Sequence, residues 1–285
     1  MQLPDPPMVV AHRGASAHRA EHTLAAYALA LRQGAGGLEC DVRLTRDGHL
    51  VCVHDRRVDR TSDGRGVVST RDLSTLSTLD YGWWHHELPH SADELVREPV
   101  ALPAADRAQR GLLTLDDLLG LVRDVAPATK LFVETKHPVR YGGLVEAKLV
   151  ALLARHGLAH PRSKEDSRVV VMSFASRAVR RIRRHAPALP TVLLTRRIPP
   201  ARSDGSLPPW ADIAGPDVAL LRSDPDYVAR CRARGHPVYC WTVDDPAELA
   251  RCRELGVGYL ATNSPAAARA ALTEYPAPGY PRAVK

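Results

Sequence analysis

Short apolar runs that end in a charged or aromatic residue recur along this chain, and amphipathic segments separate them. Met8-Val9-Val10-Ala11 stops at His12 and the turn Arg13-Gly14, and Leu131-Phe132-Val133 runs into Glu134-Thr135-Lys136. Arg168 to Phe174, Thr191 to Thr195, Val238 to Val243 and Tyr259 to Thr262 are further short apolar runs, of which the first ends in an aromatic residue. Helical periodicity lies between these runs: Leu24 to Gln33 behind a Thr23 cap, Leu115 to Val125 behind a Thr114 cap, then Leu144 to Arg155, Ala175 to His185, Pro225 to Arg234, Pro246 to Leu255 and Pro265 to Leu272, while a Pro-rich loop follows Thr195. Strands alternating with helices over the whole length predict an α/β protein with a parallel sheet inside and helices outside. No glycine-rich dinucleotide fingerprint follows the first strand, which argues against a Rossmann fold. Polar residues gather instead at the C-terminal ends of the strands, where a (β/α)8 TIM barrel carries its active site. The expectation is one TIM-barrel domain over residues 1–285, with a loop-rich insertion after strand three at about 55–113 and a loose tail over 275–285. Nine candidate strands are one more than the barrel needs, and Asp217 to Leu221 is the weakest of them.

The strand Leu38-Glu39-Cys40-Asp41-Val42 carries the chemistry. Side chains two apart on a strand share a face, so Glu39 and Asp41 project together while Cys40 points the other way. Two neighbouring carboxylates in a buried strand repel, and they require a cation, a basic side chain or a shared proton. Glu134 and Lys136 repeat this spacing on the fourth strand. The link to the third strand, Leu50 to His54, is the irregular step. The gap after Asp41 is too short for a crossover helix, which leaves a plain hairpin or a parallel third strand. The parallel arrangement is the one expected to bring His54 to the carboxylates.

Converging, these strands would place three carboxylates, two histidines, a lysine and Arg13 in one mouth. Three oxygen ligands without a thiolate suit a hard divalent cation, Mg²⁺ or Ca²⁺. Two imidazoles titrating near neutrality can serve as general acid and general base. Arg13 and Lys136 offer charge for an anionic substrate, and together these parts describe phosphoryl chemistry on an ester. The pair His85-His86 has no acidic or cysteine neighbour at ligand spacing and reads as surface.

The ordered set His12-Arg13-Gly14, Glu21-x-Thr23, Glu39-x-Asp41, His54-Asp55, Glu134-x-Lys136, Ser173-Phe174 and Trp241-Thr242-Val243 resembles the motif series of glycerophosphodiester phosphodiesterases. The resemblance covers nearly the whole chain and implies a TIM barrel that hydrolyses glycerophosphodiesters to sn-glycerol 3-phosphate and an alcohol. It implies Glu39, Asp41 and Glu134 as metal ligands and His12 and His54 as the acid/base pair. It sets Arg13 and Lys136 near the phosphate, and Phe174 and Trp241 as an apolar wall. Two departures stand out: His22 replaces the usual asparagine of the second motif, whose amide would support the loop after strand one, a change expected to touch local geometry and no metal ligand, and Asn263 replaces the aspartate that often follows Thr262, a change expected at the substrate rim. Alternative activities on this scaffold are a lysophospholipase D or sphingomyelinase D-like reaction, for which Trp83, Trp84 and Trp210 would supply an apolar rim, or silent binding of anionic head groups.

Charge and cysteine content narrow the partners. The net charge of +7 is dispersed, and its densest run, Arg177 to Arg184, alternates with Val179 and Ile182 as a solvated helix face. That pattern does not resemble a nucleic-acid site. Five cysteines without paired spacing are expected to be reduced and packed. The N-terminus lacks the basic and apolar regions of a leader, and no apolar stretch is long enough to span a bilayer. A cytoplasmic protein without stable membrane association is the expectation; the oligomeric state is not legible.

Overall fold

The computed structural model describes residues 6–84 and 109–274. Among the described residues the nine strands are β1 (Met8–His12), β2 (Gly37–Leu44), β3 (Leu50–Cys52), β4 (Lys130–Thr135), β5 (Val169–Ser173), β6 (Thr191–Thr195), β7 (Ile213–Pro216), β8 (Tyr239–Cys240) and β9 (Tyr259–Thr262). Eight of them form one parallel sheet in the order β7-β6-β5-β4-β2-β1-β9-β8. Parallel bridges Ala214–Val238 and Asp217–Trp241 join its two ends, so the sheet closes into the expected barrel. The helices are α1 (Leu24–Arg32), α2 (Leu73–Leu76), α3 (Leu115–Val125), α4 (Leu144–Arg155), α5 (Ser176–His185), α6 (Val218–Ser223), α7 (Tyr227–Ala233), α8 (Pro246–Leu255) and α9 (Pro265–Glu274).

The strand that does not belong to the barrel is β3, and not the segment from Asp217. Asp217 caps α6, its side chain accepting from the amide of Ala219 at 2.8 Å, and the seventh strand lies just before it. A short carboxylate that satisfies an orphan amide turns an apolar run into a helix start. The third strand also departs from the expected parallel arrangement. β2 runs on to Leu44 and β3 folds back antiparallel, with Val42 opposite Cys52. This hairpin still delivers His54 to the carboxylates, because the amide of Val53 donates to the carbonyl of Asp41 at 3.0 Å. The long β2 overshoots the barrel rim, and the return strand brings the chain back down to it.

Period-two alternation separates two apolar layers. Val10, Phe132, Val170, Met172, Val192, Ile213, Tyr239 and Tyr259 fill the barrel interior. Leu38, Cys40, Val42, Leu131 and Val133 face outward against Tyr27, Leu118, Leu149 and Leu153 of the helices. Phe132 lies 5.3 Å from Tyr239 and 5.4 Å from Tyr259 between ring centroids, which plugs the barrel floor beneath the site. Gly37 makes room for that plug, since a Cβ there would meet Phe132 at 3.0 Å.

The expected helix caps are present: Thr23 accepts from Ala26 at 3.3 Å and Thr114 from Asp117 at 3.1 Å. The buried face of α1 is Ala26, Tyr27 and Ala30, with Leu24 and Leu31 at its border. On α5, Ala178, Val179 and Ile182 are buried and Arg177, Arg180 and Arg184 face out, whereas Arg183 is part-buried against Asp212 and Arg181 reaches the buried Glu146, so the solvated face is narrower than expected. All five cysteines are free and buried. His85 and His86, most of the expected insertion's second half and the tail from Tyr275 lie outside the described residues. Among the described residues, no helix is long and apolar enough to cross a membrane.

Candidate active site

Strand register brings the polar residues together. His12 sits beside Glu39, and Asp41 beside Glu134, as direct partners across neighbouring parallel strands. His12, Arg13, Glu39, His54, Glu134, Lys136, Phe174 and Trp241 all line one cavity of about 90 Å³ at the C-terminal mouth of the barrel. Asp41 stands immediately behind them, ion-paired with Arg13 and Lys136. All nine residues singled out from the sequence therefore meet at one place.

Glu39, Asp41 and Glu134 are buried, and each offers a carboxylate oxygen within 4.8 Å of the others. Burial and then the charge of Asp41 push the Glu39 carboxyl well above the ordinary range, and the same two causes raise Glu134 to about 8. Asp41 goes the other way: burial opposes its ionisation, yet Lys136, His22 and Arg13 outweigh it and hold the carboxyl well below the usual range. Its partners are Arg13 Nε at 3.1 Å, His22 Nε2 at 3.0 Å and Lys136 Nζ at 3.2 Å, and Lys136 also reaches Glu134 at 2.9 Å. The raised Glu39 and Glu134 carboxyls show three oxygen-donor acids crowded into a buried cluster, whose ionisation a further cation would favour. That donor set fits a hard divalent cation.

The two histidines have different supports. Asn263 Nδ2 donates to Asp244 at 2.6 Å, which turns its Oδ1 toward His12 Nδ1 at 2.8 Å. His12 must therefore carry its proton on Nδ1, and Nε2 presents a lone pair. Burial and the Arg13 charge lower this imidazole to about 4. His54 Nδ1 instead meets the Asp55 carboxylate at 2.7 Å. Burial lowers His54 as well, with Arg13 and Lys136 acting in the same direction against Asp41 and Asp55.

Three supports were not legible as site residues. His22, with φ of +61°, occupies the left-handed region and bonds Asp41 on one nitrogen and the Tyr27 hydroxyl, at 2.8 Å, on the other. Asparagine tolerates that backbone well, which is the physical reason it suits this position. His22 lies outside the expected ligand set, and its contact is with a carboxylate of the cluster. Asn263 is corrected from the substrate rim to the partner of His12. Arg60, in an aperiodic stretch, bonds Asp55 at 2.6 Å and Glu21 at 2.7 Å, and Glu21 bonds Arg13 at 3.0 Å. Arg60 thus ties the carboxylate behind His54 to the one behind Arg13.

Replacing His22 with Asn is expected to keep the fold and hold turnover within about ten-fold, because the backbone is compatible and Asp41 retains Arg13 and Lys136. His22→Val, β-branched at positive φ, should lower the melting temperature by several degrees, roughly the effect of 1–3 kcal/mol of backbone strain. Thermal melts of the two variants read the difference.

Burial would raise Glu21, but bonds from Arg60 and the charge of Arg13 hold it down at about 2. A carboxyl depressed on folding contributes stability above its ordinary value near 4.5, and loses it as the pH falls toward 2. Glu21→Gln should cost about 1–3 kcal/mol at pH 7, and its deficit should shrink progressively below pH 4.5. Urea unfolding at several pH values checks both the size and the sign.

The model of the glycerophosphoryl diester phosphodiesterase family matches residues 12–267. The chain belongs to this family. It is 52% identical over 276 residues to the "Probable glycerophosphodiester phosphodiesterase 1" of Mycobacterium tuberculosis H37Rv, covering 97% of this chain and 96% of that one. It is 32% identical to the glycerophosphodiester phosphodiesterase of Bacillus subtilis 168, over 92% of this chain and 85% of that one. The crystal structure of a family enzyme from Agrobacterium tumefaciens superposes with a TM-score of 0.71 at 26% identity, covering 93% of this chain and 99% of that one. A phosphodiesterase from Oleispira antarctica, solved with the product sn-glycerol-3-phosphate, shares the fold with a TM-score of 0.74 at 23% identity, covering 95% and 97% of the two chains. The matched span, residues 12–267, takes in every residue that lines the cavity.

Proposed function

We propose that this chain hydrolyses glycerophosphodiesters to sn-glycerol 3-phosphate and an alcohol, with a divalent cation at Glu39, Asp41 and Glu134 and with His12 and His54 moving protons. The observation that carries this reading is the buried carboxylate triad between two imidazoles of unlike support. Mg²⁺ or Ca²⁺ held by the triad would supply Lewis-acid stabilisation of negative charge on the phosphoryl oxygens. Arg13 and Lys136, both anchored on Asp41, direct positive charge at the same oxygens.

His12 Nε2, with its lone pair fixed by Asn263, takes the proton of the attacking hydroxyl, from water or from the glycerol itself. His54 gives a proton to the departing alkoxide as the phosphorus–oxygen bond breaks. Its imidazolium has the Asp55 carboxylate behind it, whereas His12 has only a neutral amide, so the acid role falls to His54. Phe174 and Trp241 meet edge to face at 5.2 Å and close one side of the cavity with apolar surface.

The lysophospholipase D and sphingomyelinase D-like readings need an apolar rim for an acyl chain. Trp83, Trp84 and Trp210 do not line the catalytic cavity, and Trp210 instead donates to Ser176 beneath the Arg180 guanidinium. Silent head-group binding would need a lost ligand or histidine, and all are in place. Enzymatic detection of sn-glycerol 3-phosphate released from glycerophosphoglycerol or glycerophosphocholine tests the proposal. Release that follows added enzyme is expected, and a chain that turns over neither ester would contradict it.

A further inference from the structure

Arg196 follows directly on β6 and lines the catalytic cavity, although no family motif pointed to it. Its guanidinium carbon lies 5.6 Å from the ring centroid of Phe174 and 5.6 Å from that of Trp241. Lys136 adds a second cation 5.9 Å from the Phe174 ring. Trp241 is fixed from behind, its Nε1 donating to the carbonyl of Gly215 at 2.9 Å, so the corner is held in place. Among the described residues no carboxylate pairs with Arg196. Its charge is directed at the aromatic wall and the open mouth.

An aromatic corner at the mouth of a phosphodiesterase would ordinarily attract a quaternary ammonium, because the ring faces stabilise a cation within about 6 Å. Here both rings already hold one. We infer that Arg196 sets the leaving-group preference of this site, favouring esters of neutral or anionic alcohols and disfavouring those of cationic alcohols such as choline. The inference rests on the proposed phosphodiesterase reading and adds the class of alcohol released. A trimethylammonium group entering this corner would have to displace the guanidinium from the rings and then lie beside it, with like charges repelling. A polyol finds guanidinium donors for its hydroxyls, and a phosphorylated polyol finds a charge partner of the kind guanidinium groups bind bidentately.

The test compares kcat/KM for glycerophosphocholine, glycerophosphoglycerol and glycerophosphoinositol 4-phosphate, in the wild type and in Arg196→Gln. Glutamine keeps a planar group against the rings without the charge. The wild type should disfavour the choline ester by about five-fold or more against the glycerol ester, the size of one partly desolvated cation–π contact. Arg196→Gln should narrow that ratio toward one and should lower the preference for the phosphorylated inositol ester. A general structural role for Arg196 would lower all three values together and leave their ratios unchanged, which would overturn the inference. Preference of the wild type for the choline ester would also overturn it. Absence of turnover on all three esters by the folded wild type would remove the phosphodiesterase reading itself, and the inference with it.

Discussion

Replacing His54 with Ala should lower kcat by about 10²–10⁴-fold, the worth of one general acid, while changing KM far less. The expectation follows from how the hairpin presents the residue. β3 returns to the rim, Asp55 accepts from Nδ1, and Nε2 is left toward the cavity. His12→Ala should cost a similar factor, since its Nε2 lone pair is set by the Asn263 amide. The double variant should be little worse than the poorer single one, because both groups act on one transition state. The leaving group distinguishes their roles. A p-nitrophenyl ester needs no protonation of its leaving oxygen, so it should largely rescue His54→Ala and leave His12→Ala impaired. Equal loss of both variants on activated and natural esters would mean that the imidazoles position phosphate and transfer no proton.

The second large effect concerns Glu134. Removing it should reduce turnover by more than about 100-fold, exceeding the 10- to 100-fold typical of residues that only support a ligand. Excess Mg²⁺ or Ca²⁺ should restore part of the loss, because Glu39 and Asp41 remain. A related signature lies in proton release. Burial and the Asp41 charge raise Glu134 to about 8, so its carboxyl is largely protonated at neutral pH before a cation binds. Glu39, pushed well above the ordinary range by the same causes, is protonated with it, so binding should expel protons from both at pH 7, and the Glu134 share should shrink as the pH rises above 8. Calorimetry in buffers of different ionisation heat measures it, and Glu134→Ala should remove the Glu134 share of that release.

Features set by local chemistry were legible in the residues. Thr23 and Thr114 cap helices in any context that leaves their hydroxyls near an orphan amide, and the alternation of Glu39, Cys40 and Asp41 follows from strand geometry alone. What escaped depends on distant partners. The hairpin of β3 depends on how far β2 extends past the rim, which residue types do not encode. Asp217 looked like the start of a strand because Val218 to Leu221 are apolar, whereas one side-chain oxygen made the segment helical. His22 acquires its role from a left-handed backbone and from Asp41 across the β1–α1 loop. Asn263 could have been found by asking which side chain fixes the His12 tautomer, since β9 neighbours β1. Arg196 carried no local signal, because its two aromatic partners belong to other strands.

The claim that joins these parts is that the carboxylate triad works by holding one divalent cation. Its most direct test is a titration of metal-stripped wild-type enzyme with Mg²⁺ and, separately, Ca²⁺, following release of sn-glycerol 3-phosphate from glycerophosphoglycerol. Turnover should be absent in chelator and should rise with the binding of one ion per chain, for at least one of the two metals. Undiminished turnover in chelator would contradict the account.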